Sequence, residues 1–280
     1  MSFADVQSWT AADGARMALR REPAAGARRG ALIVLHGWGD HGGLFDEAAE
    51  RLAARGVDVF ALDQRGAGRS PGPRGHVERF AQYLSDLSAL RKHVAAVAPG
   101  RQVLLGHSFG GFVVLRYLET APEGLAGAIA ATPFVDFCRP PARWRVVLAR
   151  LLADVAPRVA IPTGLDYQHR TRDRALNTRM YRDPDCHHVV TPRAYRETIA
   201  TLAVLREEKV RIAVPLLVLL ASEDALVSTP AARDFARSLP GEVTLAELGG
   251  MYHDVFHEPD RDRTYAAIFS WLDRILGSTG

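Results

Sequence analysis

The chain has only two cysteines in 280 residues, Cys138 and Cys186, too few for a disulfide framework and without metal-site spacing. Both read as free thiols. Its first ten residues hold no basic segment leading into an apolar one, and nowhere do eighteen apolar residues run uninterrupted. A secretory signal and a membrane span are therefore not expected, and the reading is a cytoplasmic protein. Internal repeats and low-complexity segments are also missing, and no nucleic-acid partner is expected.

What is present is an ordinary soluble composition, 48% apolar and 24% charged, long enough to bury a large core. Around Asp13-Gly14, residues 6–10 and 15–20 read as a hairpin, because that dipeptide favours the positive backbone angles of a tight turn. Apolar strand patterns then follow at 31–35, 57–62, 103–105 and 127–131, separated by helical patterns at 44–55, 77–97 and 112–118. Phe80, Leu84, Leu87, Leu90 and Val94 line one face of the second helix. Strand 216–220, helix 230–239, strand 243–248 and helix 264–276 complete the alternation. Such an order implies a mostly parallel sheet covered by helices on both faces.

The alternation breaks over residues 133–214, which are proline-interrupted and largely helical, most clearly at 144–152 and 193–208. The division expected is a core of residues 1–132 and 215–280 with a helical cap of residues 133–214. An insertion between strands at the carboxyl edge of a sheet lies over the ligand crevice.

The chemistry centres on Gly106-His107-Ser108-Phe109-Gly110-Gly111, a G-x-S-x-G turn between a strand and a helix. Such a turn forces its central residue into an unfavourable backbone conformation and lifts Ser108 over the sheet edge. A serine hydroxyl is a weak nucleophile on its own, so the motif calls for a base and for an acid that orients the base. Strand 216–220 ends in Ala221-Ser222-Glu223-Asp224, and strand 243–248 ends in Gly249-Gly250-Met251-Tyr252-His253. Asp224 is the first choice for the acid, with Glu223 and Asp136 as competitors, and His253 is the base. The order Ser108, Asp224, His253 is that of an α/β-hydrolase.

Two other patterns compete. His253 and His257 stand four apart, as in a helical zinc site, although no third ligand is evident. Gly37-Trp38-Gly39-Asp40-His41-Gly42 with Asp63 on the next strand mimics a dinucleotide fingerprint. That reading leaves the serine turn and the two later loops unexplained. In a hydrolase the same loop supplies the Trp38 amide, which together with the Phe109 amide can form an oxyanion hole. Neither a metal nor a cofactor is expected.

These runs, with Asp63-Gln64-Arg65-Gly66-Ala67-Gly68-Arg69-Ser70 and Gly72-Pro73-Arg74-Gly75-His76, resemble the monoacylglycerol lipase and lysophospholipase group of α/β-hydrolases, also described as serine-aminopeptidase-like. The resemblance covers nearly the whole chain. It implies an α/β-hydrolase fold with Ser108 as nucleophile, His253 as base, Asp224 as acid and the Trp38 and Phe109 amides as oxyanion donors. It also implies hydrolysis of carboxylic esters, those of monoacylglycerols, lysophospholipids or similar single-chain lipids. A short-chain esterase, thioesterase or peptidase is the alternative within that fold, and a non-catalytic ligand-binding protein the alternative outside it. Asp40 departs from the usual Glu, Trp38 is bulkier than usual, and Ala221 replaces a usual Gly. In the insertion only traces such as Arg172-Asp173 and Asp183-Pro184 remain.

The insertion carries 15 Lys plus Arg against 9 Asp plus Glu, a net of +6, whereas the rest of the chain is at −3. Trp144, Leu148, Leu151, Leu152 and Val155 lie at helical spacing beside Arg143, Arg145 and Arg150. The ordinary expectation is an apolar face packed on the core below. The other is peripheral contact with an anionic lipid surface.

Overall fold

The computed structural model describes residues 3, 5–120, 123–207 and 212–277. In chain order its strands are β1 (Gln7–Thr10), β2 (Arg16–Glu22), β3 (Gly30–Leu35), β4 (Val57–Leu62), β5 (Gln102–His107), β6 (Leu125–Ala131), β7 (Ile161–Pro162), β8 (Val189–Val190), β9 (Leu216–Ala221) and β10 (Val243–Leu248). The helices are α1 (Asp46–Ala53), α2 (Ala81–Val97), α3 (Phe109–Leu118), α4 (Arg143–Val155), α5 (Arg174–Tyr181), α6 (Pro192–Glu207), α7 (Thr229–Ser238) and α8 (Asp262–Leu276).

Eight strands form one sheet in the order β1-β2-β4-β3-β5-β6-β9-β10. The hairpin strands β1 and β2 run antiparallel along one edge, and the six others are parallel. Strands β3, β4, β5 and β9 are buried along their whole length. Coverage on both faces is the reason their sequences read as continuous apolar runs rather than alternating ones. Ile33 and Leu35 point into the core beneath α2 and α3, while Leu32 and Val34 point into the core beneath α1 and α8.

Chain order reverses at β3, which lies between β4 and β5. At such a switch point the loops leaving neighbouring strands diverge and open a crevice at the carboxyl edge. Leu35 at the end of β3 is in register with Gly106 of β5, so the Trp38 loop and the Ser108 turn leave the sheet side by side.

Several boundaries differ from expectation for local reasons. Helix α2 begins at Ala81 rather than 77, because the preceding residues are held by the insertion. His76 Nδ1 lies 2.9 Å from Thr191 Oγ1, and the Phe80 amide donates to Glu197 Oε2 at 3.1 Å. Helix α1 is shortened by a 3₁₀ turn over Gly42–Phe45. The expected end of the helix over 193–208 falls on Glu208, which lies outside the described residues; α6 is described to Glu207.

Between β6 and β9 the chain forms α4, α5 and α6 together with a two-stranded β7-β8 ladder. A ladder of two residues a side is too short to leave a periodic signal. The ordinary expectation for α4 fails: of its thirteen residues only Ala153 is buried. Trp144, Val147, Leu148, Leu151 and Val155 are exposed, the last at 78%. Among the described residues no helix is long and apolar enough to cross a membrane.

Candidate active site

Ser108 occupies the turn between β5 and α3 with φ 54° and ψ −115°, a conformation costly for a residue with a side chain. Three backbone hydrogen bonds hold it there. The Ser108 amide donates to the Ala131 carbonyl at 2.9 Å, and its carbonyl accepts from the amides of Phe112 at 3.1 Å and Phe134 at 3.0 Å. The flanking glycines serve close approach: a Cβ on Gly110 would strike the Leu35 carbonyl, and one on Gly106 the Gly110 carbonyl.

His253 lies at the end of the β10 loop with its Nδ1 2.7 Å from Asp224 Oδ2. Asp224 is itself aimed by the backbone, since its Oδ1 accepts from the amides of Leu226 at 2.8 Å and Val227 at 2.9 Å. Its side chain is wholly enclosed. An imidazole held in this way keeps its proton on Nδ1 and leaves Nε2 free to accept another. The competing acids are elsewhere. Glu223 is exposed and accepts from its neighbour Ser222 Oγ at 3.3 Å, and Asp136 pairs with Arg206 at 3.2 Å.

Ser108 and His253 both face a cavity of about 480 Å³ whose wall is mainly apolar, with Phe109, Phe134, Phe137, Leu148, Ile199 and Val227 among its lining residues. Trp38 and Phe109 line it too. Among the described residues neither of their amides is engaged by a backbone carbonyl. Phe109 opens α3, where the first amides have no partner inside the helix. The bulk of Trp38 also has an occupation: its ring meets Phe109 edge-on at 4.8 Å, and its indole N–H donates to the Val189 carbonyl of β8 at 3.0 Å.

Neither competing motif is arranged for its chemistry. Asp63 accepts from the Gly42 amide at 2.7 Å, from Arg20 at 2.6 Å and from the Arg69 amide at 2.9 Å, wholly buried, so a ribose has no access to it. Residues 251–258 form turns rather than a helix, and His257 Nδ1 is bound to Asp254 Oδ1 at 2.9 Å. A different trio, His41, Asp183 and Cys186, does bring ligand atoms within 4.8 Å of one another. There the Gly43 amide donates to His41 Nδ1 at 3.1 Å, which puts the imidazole proton on Nε2, facing Asp183 at 3.4 Å. Metal binding through Nε2 needs the opposite tautomer.

Sequence reasoning missed the residues that brace these loops. Thr132, at φ 41°, donates from Oγ1 to the His253 carbonyl at 3.0 Å. Arg170, from the insertion, is buried against Asp40 and Asp254. Burial opposes charge on Asp254, but His257 and Arg170 outweigh it and hold the carboxyl well below its usual range. Burial lowers His107 to about 4, so the imidazole inside the serine turn is neutral at pH 7. A motif search had no signal for Arg170, whose partners lie 130 and 84 residues away.

A model of the serine aminopeptidase S33 family matches residues 26–260. The chain belongs to this family. Among its relatives is a monoacylglycerol lipase of Mycolicibacterium smegmatis, 29% identical over 87% of this chain and 88% of that protein. A monoglyceride lipase of Rattus norvegicus is 28% identical over 99% and 93% respectively. A crystal structure of a monoacylglycerol lipase from Paleococcus ferrophilus superposes with a TM-score of 0.84 at 27% identity, covering 91% of this chain and 98% of that one. The parallel sheet, the serine turn and this similarity make the molecule an α/β-hydrolase of the S33 family.

Proposed function

We propose that this S33 hydrolase cleaves carboxylic esters of single-chain lipids, such as monoacylglycerols or lysophospholipids, through an acyl-enzyme on Ser108. His253 Nε2 takes the Ser108 proton as Oγ attacks the ester carbonyl, and the Trp38 and Phe109 amides receive the oxyanion. Collapse of the tetrahedral intermediate expels the alcohol with the proton from His253. Water, activated by the same imidazole, then releases the acid. Asp224 keeps the imidazole oriented and stabilises its protonated form.

The observation that carries this reading is the union of a held His253–Asp224 pair and Ser108 on an apolar cavity of about 480 Å³. That size lies within the range of roughly 300–1,000 Å³ for small-molecule pockets and suits one acyl chain with a compact alcohol. A peptide amine has little to bind by comparison. Among the described residues the carboxylate lining the cavity is Asp40, and Arg170 holds both of its oxygens. The monoacylglycerol and monoglyceride lipases among the relatives support the same substrate class.

The inserted residues 133–214 are proposed to act as a cap that meets anionic lipid. Leu151 and Val155 present apolar surface, Arg143, Arg145 and Arg150 are exposed beside them, and Trp144 and Leu148 continue the face to the cavity wall. Unpaired Cys138 and Cys186 suit a reducing compartment, so the cytoplasm is the proposed location.

Labelling with a fluorophosphonate and a panel of esters of increasing acyl length test the reading together. The expected result is one labelled serine, lost in Ser108→Ala, and kcat/KM rising with chain length. Labelling that persists in Ser108→Ala, or a panel left wholly uncleaved, overturns it.

A further inference from the structure

Arg170 belongs to the insertion and lines the same cavity as Ser108 and His253, but its guanidinium bonds to Asp40 and Asp254. It follows a 3₁₀ turn over Tyr167–His169 and is buried, with a side chain only 7% exposed. Its guanidinium makes a two-pronged contact with Asp40, Nη1 to Oδ1 at 2.7 Å and Nη2 to Oδ2 at 2.8 Å. From the same group Nε donates to Asp254 Oδ2 at 2.9 Å. Its backbone carbonyl accepts from the Asp254 amide at 2.8 Å. One residue therefore grips Asp254 by both main chain and side chain while clamping Asp40.

The two acids are placed where such a grip matters. Asp40 is two residues beyond Trp38, and its Oδ2 lies so close to Gly37 that a Cβ there would come within 2.9 Å. Asp254 directly follows His253. On the reading given above, these loops carry an oxyanion donor and the general base. Charge is matched as well: Asp40 and Asp254 face Arg170, and at His257, which is bonded to Asp254, burial opposes the charged form but the carboxylate outweighs it and raises the imidazole above its ordinary value. Without the guanidinium Asp40 would be buried with no partner for its carboxylate and Asp254 would keep only His257, and stranding a buried charge in this way is strongly unfavourable.

We propose that Arg170 is a positioning residue through which the insertion sets the relative placement of the Trp38 and His253 loops. The inference rests on the proposed ester-hydrolase function. It makes the insertion a part of the catalytic geometry rather than a detachable cover. Guanidinium geometry is essential here, because a lysine ammonium has no planar fork to span Asp40 and reach Asp254 at once.

The test compares wild type with Arg170→Lys, Arg170→Met and the double variant Arg170→Met with Asp40→Asn. Turnover of a soluble short-chain ester is measured per site titrated by fluorophosphonate burst, beside the melting temperature. Expected is a kcat loss of about a hundredfold in Arg170→Met, typical of misplaced groups, with KM changed by about twofold or less. Arg170→Lys should fall between this and wild type. Removing the stranded Asp40 charge in the double variant should recover melting temperature but not kcat. Should Arg170→Met fail to fold, the lysine and double variants carry the same comparison. Turnover per titrated site near wild type in Arg170→Lys and in whichever methionine variant folds, or kcat returning together with melting temperature, overturns the proposal. A wild-type protein that takes no label at all removes the function on which it rests, a result separate from these.

Discussion

Helices α3 and α4 are both rich in apolar residues, and the fold treats them in opposite ways. Nine of the ten residues of α3 are buried, from Phe109 through Leu118, against one of thirteen in α4. Composition contributes, since α3 has one charged residue in ten and α4 four in thirteen, but position decides what happens to the apolar side chains that each helix does carry. Helix α3 leaves the centre of the sheet, where β3, β5 and α2 surround it, and its close fit is what holds Ser108 in a strained turn. Helix α4 rests on α6 and leaves its other side to solvent. Fully burying a large apolar side chain is worth about 1.5–3 kcal/mol, so Trp144, Leu148, Leu151 and Val155 leave substantial stabilisation unclaimed unless something covers them. Hydrophobic periodicity thus predicts that a helix has an apolar face, while the surrounding elements decide whether that face is core or surface.

The sharpest way to break this contrast is to remove the group that the α3 turn presents. Ser108→Ala should lower ester turnover by up to roughly a millionfold and leave folding intact, with chelators having no effect on wild type. Near-normal turnover would mean that the strained turn serves something other than nucleophilic attack. Asp224→Asn should cost about ten-thousandfold, since the amide favours the wrong imidazole tautomer, whereas Glu223→Gln and Asp136→Asn should each change turnover by less than about threefold. A large loss in either of the latter two would reassign the acid.

On the α4 side the effects are smaller and depend on the substrate's form. Leu151→Ser combined with Val155→Ser removes apolar surface that does not line the cavity. Hydrolysis of monoacylglycerol in anionic vesicles should drop about tenfold, consistent with losing roughly 1–2 kcal/mol of interfacial contact. A soluble ester should be cleaved as before, with an unchanged melting temperature. A fall in melting temperature would show that the face is covered by the protein itself. The smallest effect is that of salt. Raising ionic strength past about 0.15 M, where the Debye length is about 8 Å, should slow vesicle hydrolysis by a few fold and leave the soluble ester nearly untouched. Equal sensitivity of both substrates would reduce the arginines around α4 to ordinary surface charge.

The sequence by itself determined the alternation of strands and helices, because fully buried strands and amphipathic helices have distinct periods that survive without any long-range information. It also marked Ser108, Asp224 and His253, each in a loop that ends a parallel strand, where order along the chain and chemical type narrow the choice. Only the tertiary structure decided between Asp224, Glu223 and Asp136 as the partner of His253, since that choice turns on which carboxylate the amides of Leu226 and Val227 aim at the imidazole. It alone decided the exposure of α4, the β7-β8 ladder and the Asp40–Arg170–Asp254 cluster. These depend on contacts between segments far apart in the chain, which leave no local period, so nothing short of the folded arrangement records them.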